Sequence, residues 1–248
     1  MRRDELVRWL DEYLKTAEQS KLHHDNSLNG LQVEGCDNVS KVGAAVDASL
    51  ATFQKAAKER VDFLIVHHGL FWGEVFPITG HHRKRLGALL QNEMSLYCSH
   101  LPLDTHPEVG NNAQLAKLLK LYELKPFAAG FIGMLEAPAS LNDLVKKMEV
   151  ITGSKPLVHP NGPGTVMHVA VVSGAGAELA SEAQRQGADV LITGEPKYAV
   201  YHQALEQEMN LIYAGHYLTE TLGVKALAET IERQFGLPWI FLDHPTGI

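Results

Sequence analysis

The sequence has few cysteines, no long apolar run and no excess of positive charge. Only Cys36 and Cys98 are present, so the chain encodes neither a disulfide framework nor a Cys-x-x-Cys metal site. No stretch approaches the roughly 20 apolar residues that a membrane-spanning helix needs, and the first residues lack a signal-peptide pattern. These absences favour a reducing compartment, so we expect a cytoplasmic protein without a membrane partner.

The charge balance is acidic, with 22 Lys and Arg against 29 Asp and Glu and a net charge of -7. This balance makes nucleic acid an unlikely partner, and an anionic substrate would need local positive charge. Hydrophobic residues make up 45% of the 248 residues and charged residues 21%. That composition is typical of a globular protein with a buried core, and it excludes disorder as the main state.

Strand and helix patterns alternate through the chain. A helix is predicted over 4–17, and strands are predicted at 39–46, 61–66 and 96–98 in the first half. The second half repeats this theme, with strands predicted at 166–172, 190–193 and 211–214 and helices between them. The alternation predicts an α/β fold.

Two local matches indicate that the second half duplicates the first. The letters DFLI at 62–65 resemble DVLI at 189–192, and EMSL at 93–96 resembles EMNL at 208–211. Both matches occur in the same order, although any two α/β units share apolar strand patterns and chance likeness is the alternative. We predict two whole α/β repeats, residues 1–124 and residues 125–248, with an approximate boundary.

Histidine and carboxylate side chains follow the predicted strands. The run at 61–66 ends in His67 and His68, at the carboxyl end of a strand, where α/β proteins build their sites. Neighbouring strand residues point to opposite faces, so these two histidines can share one centre only if the backbone turns there, or else each binds a different ion. Gly69 permits such a turn.

Further candidate ligands follow two other strands. Asp104 comes shortly after the strand at 96–98, and His100 lies four residues before it. In the second half, His216 follows a strand, and Glu220 lies four residues later on the same face of a helix. Each of these features alone is more often a surface residue, a turn or a solvated contact.

Together these strand ends supply three histidines and two carboxylates. His67, His68, Asp104, His216 and Glu220 form a sulfur-free donor set that suits zinc, iron, manganese, cobalt or nickel, and the sequence does not choose among them. Five ligands exceed what one open catalytic zinc uses, whereas two ions about 3.5 to 4 Å apart, bridged by a carboxylate, use all five. We therefore predict two divalent metal ions per chain.

Three weaker motifs have open alternatives. The glycine-rich turn at 172–177 follows a strand, but it lacks the full dinucleotide spacing and the P-loop lysine, so nucleotide binding there is the less favoured interpretation. The basic run HHRKR at 81–85 is either a solvated face or a phosphate contact. The segment TGE at 193–195 either borders the site or forms a turn.

Six motifs carry a resemblance that covers essentially the whole chain. The sequence is similar to YbgI-like dinuclear-metal-centre proteins, a family often named type 2 GTP cyclohydrolase I, in its short form. The motifs are specific in combination: LNGLQVEG at 28–35, VHHGLFW at 66–72, HLPLD at 100–104, GNN at 110–112, TGE at 193–195 and GHYLTE at 215–220.

The resemblance implies two intertwined α/β repeats with mixed sheets and a toroidal homohexamer. It also implies that His68 and Asp104 hold one metal, that His67 and His216 hold the other, and that Glu220 bridges both. His100 would then be a catalytic proton shuttle beside the metals.

Two functions compete at this point. The first is a metal-dependent hydrolase of GTP cyclohydrolase type, acting on a small molecule such as a purine nucleotide. The second is a ring-shaped scaffold or regulatory interaction protein, whose metals stabilise the assembly or are stored. Labile coordination with a bound water would favour the enzyme, and closed coordination would favour the scaffold.

Overall fold

The chain passes three times between two units in the computed structural model, which describes residues 1–248. The first unit contains Met1–Gly110 and Gly223–His244, and the second contains Asn111–Leu222 and Pro245–Ile248. Each unit thus includes a segment from the C-terminal part of the chain, as expected for intertwined repeats. The repeat boundary near residue 124 stays a prediction.

Eleven strands form the two sheets. In chain order they are β1 (Gly30–Val33), β2 (Val42–Asp47), β3 (Phe63–His68), β4 (Ser95–Cys98), β5 (Tyr122–Phe127), β6 (Gly130–Ser140), β7 (Leu157–His159), β8 (Thr165–Val172), β9 (Val190–Thr193), β10 (Asn210–Tyr213) and β11 (Trp239–Phe241).

Ten α-helices connect and cover these strands, and two short 3₁₀ helices lie at Ala177–Leu179 and Tyr198–Val200. None of the helices combines the length and the apolar character that a membrane crossing requires. The α-helices are α1 (Arg3–Tyr13), α2 (Thr16–Leu22), α3 (Leu50–Lys58), α4 (Gly80–Gln91), α5 (Leu101–Asp104), α6 (Asn111–Leu119), α7 (Leu141–Thr152), α8 (Ala180–Arg185), α9 (Tyr201–Glu206) and α10 (His216–Phe235).

Both sheets are mixed and share one strand order. The first unit has the order β1-β4-β3-β2-β11, in which β1 is antiparallel to β4 and the remaining pairs are parallel. The second unit has the order β5-β6-β8-β9-β10-β7, in which β8, β9 and β10 are parallel and β7 is antiparallel to β10. The series β1-β4-β3-β2 therefore recurs as β7-β10-β9-β8, which confirms the predicted duplicated α/β fold with mixed sheets.

An aspartate fixes the start of the equivalent strands in each unit. The Asp62 carboxylate, just before β3, accepts hydrogen bonds from the backbone N–H groups of Ser40 and Lys41 at 2.8 and 3.0 Å. The Asp189 carboxylate, just before β9, accepts the N–H groups of Met167 and His168, both at 2.8 Å. The DFLI and DVLI segments thus occupy equivalent places.

The second matched pair of segments carries a shared backbone feature. Glu93 and Glu208 both adopt left-handed φ values, 47° and 54°, directly before Met94 and Met209. A Cβ atom on Gly35 would lie 2.2 Å from the Glu93 carbonyl oxygen, and one on Gly162 would lie 2.2 Å from that of Glu208. Only glycine fits beside these turns, so both units repeat the same close approach of two backbone segments.

The central strands of each sheet are buried on both faces, which explains why they read as continuous apolar runs. Along β3, Phe63 and Ile65 pack into one apolar cluster, and Leu64 and Val66 pack into the cluster on the opposite face. The same division separates Val190 and Ile192 from Leu191 in β9 of the second unit. This packing holds the strand ends in place, and truncating a side chain such as Ile65 to alanine would cost about 2–5 kcal/mol.

The helix predicted over 4–17 is divided in two. α1 ends at Tyr13 and α2 begins at Thr16, because Lys15 adopts a left-handed conformation with φ 49°. The prediction of one continuous helix was therefore wrong. No glycine or proline marks the break in the sequence, so the pattern could not show it. Leu6, Leu10 and Leu14 are nevertheless buried in the core, as the apolar spacing requires.

Candidate metal centre

Three parallel strands of the first unit end at the same edge of their sheet. In the strand register, Asp47 of β2 lies beside His68 of β3, and Val66 lies beside Cys98 of β4. The segment that follows Cys98 carries His100 and Asp104. The edge where the strands end therefore gathers the first-half candidate residues, as expected for an α/β sheet.

His67 is completely buried and held by one backbone contact. Its Nδ1 lies 2.9 Å from the carbonyl oxygen of Ser99. A carbonyl only accepts, so the proton is assigned to Nδ1, and the lone pair then lies on Nε2. Nε2 is 3.4 Å from Oδ2 of Asp104, which is itself 5% exposed at the end of α5. The two side chains thus offer one nitrogen and one oxygen donor at a buried position.

A carboxylate orients His68. Its Nδ1 lies 2.9 Å from Oδ1 of Asp47, a hydrogen bond that directs the lone pair of the other ring nitrogen, Nε2, away from Asp47. Metal-binding histidines commonly donate their second N–H to a carboxylate, which fixes the tautomer and makes the ligand nitrogen more basic. The sequence patterns did not identify Asp47, which sits at the end of its own strand.

The histidines of the first unit form a cluster that could hold a metal ion. The ligand atoms of His67, His68 and His100 all lie within 4.8 Å of one another. β3 ends at His68, and Gly69 follows in very close packing: a Cβ atom there would lie 2.4 Å from the Gln32 side chain. The rings of His67 and His68 lie with their centroids 4.8 Å apart.

His100 is oriented by Asp25, another residue that the sequence patterns missed. Its Nδ1 lies 2.9 Å from Oδ1 of Asp25. Burial acts to raise the pKa of Asp25, but hydrogen bonds from His100, Asn29 and the Ser27 backbone, with the attraction of the imidazole, lower that pKa to about 2. Asp25 is therefore an anion that holds the His100 ring. Trp72 packs edge-on against the same His100 ring, with centroids 4.9 Å apart.

In the second unit, His216 and Glu220 lie in the first turns of α10. His216 Nε2 is 3.2 Å from Oε2 of Glu220, and its Nδ1 is 2.9 Å from Oε2 of Glu195. The hydrogen bond to Glu220 is the largest cause that raises the pKa of His216 to about 9, with Glu195 adding to it and burial opposing it. A metal ion competes with a proton for such a nitrogen. The prediction that TGE at 193–195 borders the candidate residues holds for Glu195.

A glycine makes room for the carboxylate of Glu220. A Cβ atom on Gly174 would lie 2.2 Å from Glu220 Oε1 and 3.2 Å from His216 Nε2, and Gly174 also has a φ of +64°. The backbone is thus pressed against both candidate ligands of the second unit. This cradle, together with a donor set of nitrogen and oxygen only, fits a first-row divalent ion.

The glycine-rich turn is not a phosphate loop. The N–H groups of Ser173, Gly174 and Gly176 donate to side-chain oxygens of Asn112, Thr219 and Thr193 at 2.7, 3.1 and 2.8 Å. These amides are satisfied within the second unit, and the helix that follows starts with a three-residue 3₁₀ turn before the six residues of α8. Nucleotide binding at this turn, the less favoured interpretation, finds no support in this geometry.

Two residues of the basic run at 81–85, His82 and Arg85, line a cavity together with His68, and the other three are exposed. His82 stacks on Phe76 with ring centroids 3.9 Å apart. Both residues line a cavity of about 420 Å³ in the first unit, together with His68, Trp72 and Arg85. The cavity therefore combines aromatic rings with charges of both signs, because Asp47 and Glu74 line it together with Arg85.

Comparison with known proteins agrees with this geometry. The family model described as Duf34/NIF3 (NGG1p interacting factor 3) matches residues 1–247. The chain belongs to the Duf34/NIF3 family. Among curated Duf34/NIF3 relatives, a Deinococcus radiodurans protein named GTP cyclohydrolase 1 type 2 homolog is 46% identical over 252 residues, which cover 99% of this chain and 94% of that protein.

Two solved structures share the whole fold. TTHA1606 from Thermus thermophilus is 53% identical with a TM-score of 0.95, and the match covers 100% of each chain. The protein ybgI is 40% identical with a TM-score of 0.93, again over 100% of each chain, and its structure is described as of unknown function. The resemblance stated from the sequence motifs is thus confirmed.

Proposed function

We propose that this chain binds two divalent metal ions and uses them to hydrolyse a small molecule. One observation carries the proposal: both units present a histidine at a strand end, or directly after one, with its Nδ1 held 2.9 Å from a carboxylate oxygen. Orienting carboxylates of this kind support metal-binding histidines. The name GTP cyclohydrolase 1 type 2 homolog of the relatives supports hydrolysis as the reaction class.

The five proposed ligands follow the family resemblance, which implies His68 with Asp104 on one ion and His67 with His216 on the other. The 3.4 Å contact between His67 Nε2 and Asp104 Oδ2 supports instead His67 and Asp104 as ligands of one ion. His68 and His216 would then hold the second ion, and Glu220 would bridge both. Zinc, iron, manganese, cobalt and nickel all accept these donors. Bound divalent ions would supply Lewis-acid activation of water and of the substrate.

His100 is proposed as the residue that moves protons during the reaction. Asp25 holds its Nδ1 at 2.9 Å, and Trp72 packs edge-on against its ring. With one nitrogen fixed in this way, the other is the atom that can give a proton to the leaving group or take one from water. His100 is outside the set of five proposed ligands, so its role in proton transfer is separable from metal binding.

The cavity beside His68 supports a ring-bearing anion, such as a purine nucleotide, as the substrate. Trp72 and Phe76 offer aromatic surface, and Arg85 offers one positive charge beside the carboxylates of Asp47 and Glu74, which line the same cavity. A guanidinium suits phosphate oxygens because its N–H groups form a planar fork.

An assay of purine ring opening tests the proposed activity, beginning with GTP and several divalent metals. Arg85→Ala should raise the KM about tenfold, because one charge-assisted contact to phosphate is lost. Arg83→Ala is the matched control, since Arg83 is exposed on the same helix and does not line the cavity. If the metal-replete wild type turns over no nucleotide, the scaffold function replaces the hydrolase.

The assembly and the location are proposed alongside the activity. We propose a toroidal homohexamer in the cytoplasm; the family resemblance supports the first, and two cysteines without a disulfide support the second. Light scattering tests the assembly. A monomer across micromolar concentrations would contradict it.

A further inference from the structure

The turn that follows β8 presses the backbone of Gly174 against two proposed metal ligands. A Cβ atom on Gly174 would lie 2.2 Å from Glu220 Oε1 and 3.2 Å from His216 Nε2. At these distances no other atom fits between the backbone and the two side chains. Any shift of Gly174 therefore changes the space that Glu220 and His216 occupy, so their positions depend on what holds Gly174 in place.

Two buried threonine hydroxyls hold both backbone groups of Gly174. The Gly174 N–H donates to Thr219 Oγ1 at 3.1 Å, and the Gly174 carbonyl accepts the Thr193 hydroxyl at 3.0 Å. Both threonines are 0% exposed, so bulk water does not compete for these hydrogen bonds. A hydroxyl can donate and accept at once, and this property lets each threonine join the turn to a second point of the backbone.

Thr219 joins the turn to the helix that carries both proposed ligands. It lies in the first turns of α10, three residues after His216 and directly before Glu220. Its hydroxyl donates to the His216 carbonyl at 3.0 Å while it accepts the Gly174 N–H. A helical threonine often bonds a carbonyl of the preceding turn, but here the same oxygen also binds a separate segment. The start of α10 and the glycine turn are thus fixed to each other through one atom.

Thr193 fixes the other side of the turn from the end of β9. The residue after it, Gly194, donates its N–H to the Gly174 carbonyl at 2.8 Å, and a Cβ atom on Gly194 would lie 2.6 Å from His216 Cα. The third residue, Glu195, holds His216 Nδ1 at 2.9 Å. All three residues of the TGE segment at 193–195 therefore contact the turn or the proposed ligand His216.

We propose that Thr193 and Thr219 are positioning residues for metal binding. By holding Gly174, they keep the carboxylate of Glu220 and the ring of His216 in the orientation that receives a divalent ion. Neither threonine supplies a ligand atom. The inference rests on the proposed function, because it takes these two side chains as metal ligands. The competing account is a turn that only stabilises the fold, which predicts lower stability with unchanged metal affinity.

Zinc affinity of the full chain, measured by competition with a metal-binding dye, tests this role. Thr219→Val and Thr193→Val remove the hydroxyl, and each should weaken zinc binding about 10- to 100-fold, the usual effect of losing a group that orients a ligand. Thr219→Ser and Thr193→Ser keep the hydroxyl and should bind like the wild type. Thr221→Val is the matched control, because Thr221 is also buried in α10 but its hydroxyl donates to the Leu218 carbonyl and not to the turn.

Two further measurements separate positioning from folding. Circular dichroism shows which variants fold, and an alanine variant replaces any valine variant that does not, because alanine places no Cγ atom beside the buried backbone groups. With Co²⁺ in place of zinc, the visible absorption bands report ligand geometry, and they should change in the variants without the hydroxyl but not in the serine variants.

The role of either threonine is overturned if its folded variant without the hydroxyl binds zinc as tightly as the wild type with the same Co²⁺ spectrum. It is also overturned if its serine variant binds as weakly as that variant, or if Thr221→Val weakens binding equally. A wild type that binds neither zinc nor Co²⁺ would instead overturn the proposed function, and this role with it.

Discussion

The Nδ1 atom of His216 lies 2.9 Å from Oε2 of Glu195, and Glu195 follows the strand next to the one that leads to His216. His68 and Asp47 repeat this relationship in the first unit, again at 2.9 Å and again from neighbouring strands. A histidine whose Nδ1 is held by a carboxylate from the neighbouring strand therefore occurs in both units, with Asp in one and Glu in the other. A carboxylate that only orients a histidine should affect metal affinity without supplying a ligand.

The orienting carboxylates are expected to tune metal affinity. Asp47→Asn and Glu195→Gln should each weaken metal binding roughly 10- to 100-fold, because the amide is a poorer acceptor and leaves the imidazole less basic. Competition with a metal-binding dye measures the change. Glu149→Gln, on the exposed face of α7, is the control and should bind like the wild type. Unchanged affinity in both test variants would show that the two pairs are ordinary surface contacts.

Gly174 should be needed for the position of Glu220. In Gly174→Ala the new methyl group would lie 2.2 Å from Glu220 Oε1, so the carboxylate has to move and metal content should fall. The positive φ of +64° adds a strain of about 1–2 kcal/mol for any L-residue.

Gly187→Ala separates these two effects. Gly187 also has a positive φ, +85°, but a Cβ atom there meets nothing within 4 Å. It should lose stability from backbone strain while keeping full metal content by elemental analysis. Equal metal content in the two variants would contradict the role assigned to Gly174.

His100 should act on turnover and not on metal content. His100→Ala is expected to keep its metals and to lose roughly 10²- to 10⁴-fold in kcat, the usual range for an acid–base group. His202→Ala, an exposed histidine of α9, is the control. If His100→Ala turns over substrate as fast as the wild type, the residue is structural.

Stability at alkaline pH should depend on Tyr13. Its hydroxyl donates to Glu108 at 3.0 Å, and burial with this hydrogen bond raises the pKa of Tyr13 from 10.0 to about 12. The folded state thus keeps a proton that the unfolded state loses, so this stabilisation is complete below pH 10 and disappears towards pH 12. Urea unfolding should show a smaller loss over this window for Tyr13→Phe. An identical loss in both proteins would refute the assignment.

Apolar patterns predicted the central strands because these strands are buried on both faces of their sheets. The hairpin of β5 and β6 was absent from the predictions, since β5 is exposed along most of its length and has no apolar pattern. The break at Lys15 was equally unreadable, because a lysine in a left-handed conformation has no sequence signal of its own. Tertiary packing, and not a local sequence pattern, determined both the β5–β6 hairpin and the helix break at Lys15.

The candidate site was predictable in its histidines and less so in their partners. Strand-end placement singled out His67, His68 and His216, and the His216–Glu220 spacing gave a contact of 3.2 Å. Asp47 and Asp25 are far along the chain from the histidines they hold, so only strand register and loop packing reveal them. The complete five-ligand assignment stays a prediction.

Metal stoichiometry tests the central claim most directly. Elemental analysis of metal-replete protein should give close to two transition-metal ions per chain, and Glu220→Ala should lower the occupancy of both, because the proposed bridge is lost. Glu229→Ala, exposed further along the same helix, should keep both ions. One ion per chain in the wild type, or full metal content in Glu220→Ala, would contradict the two-metal account.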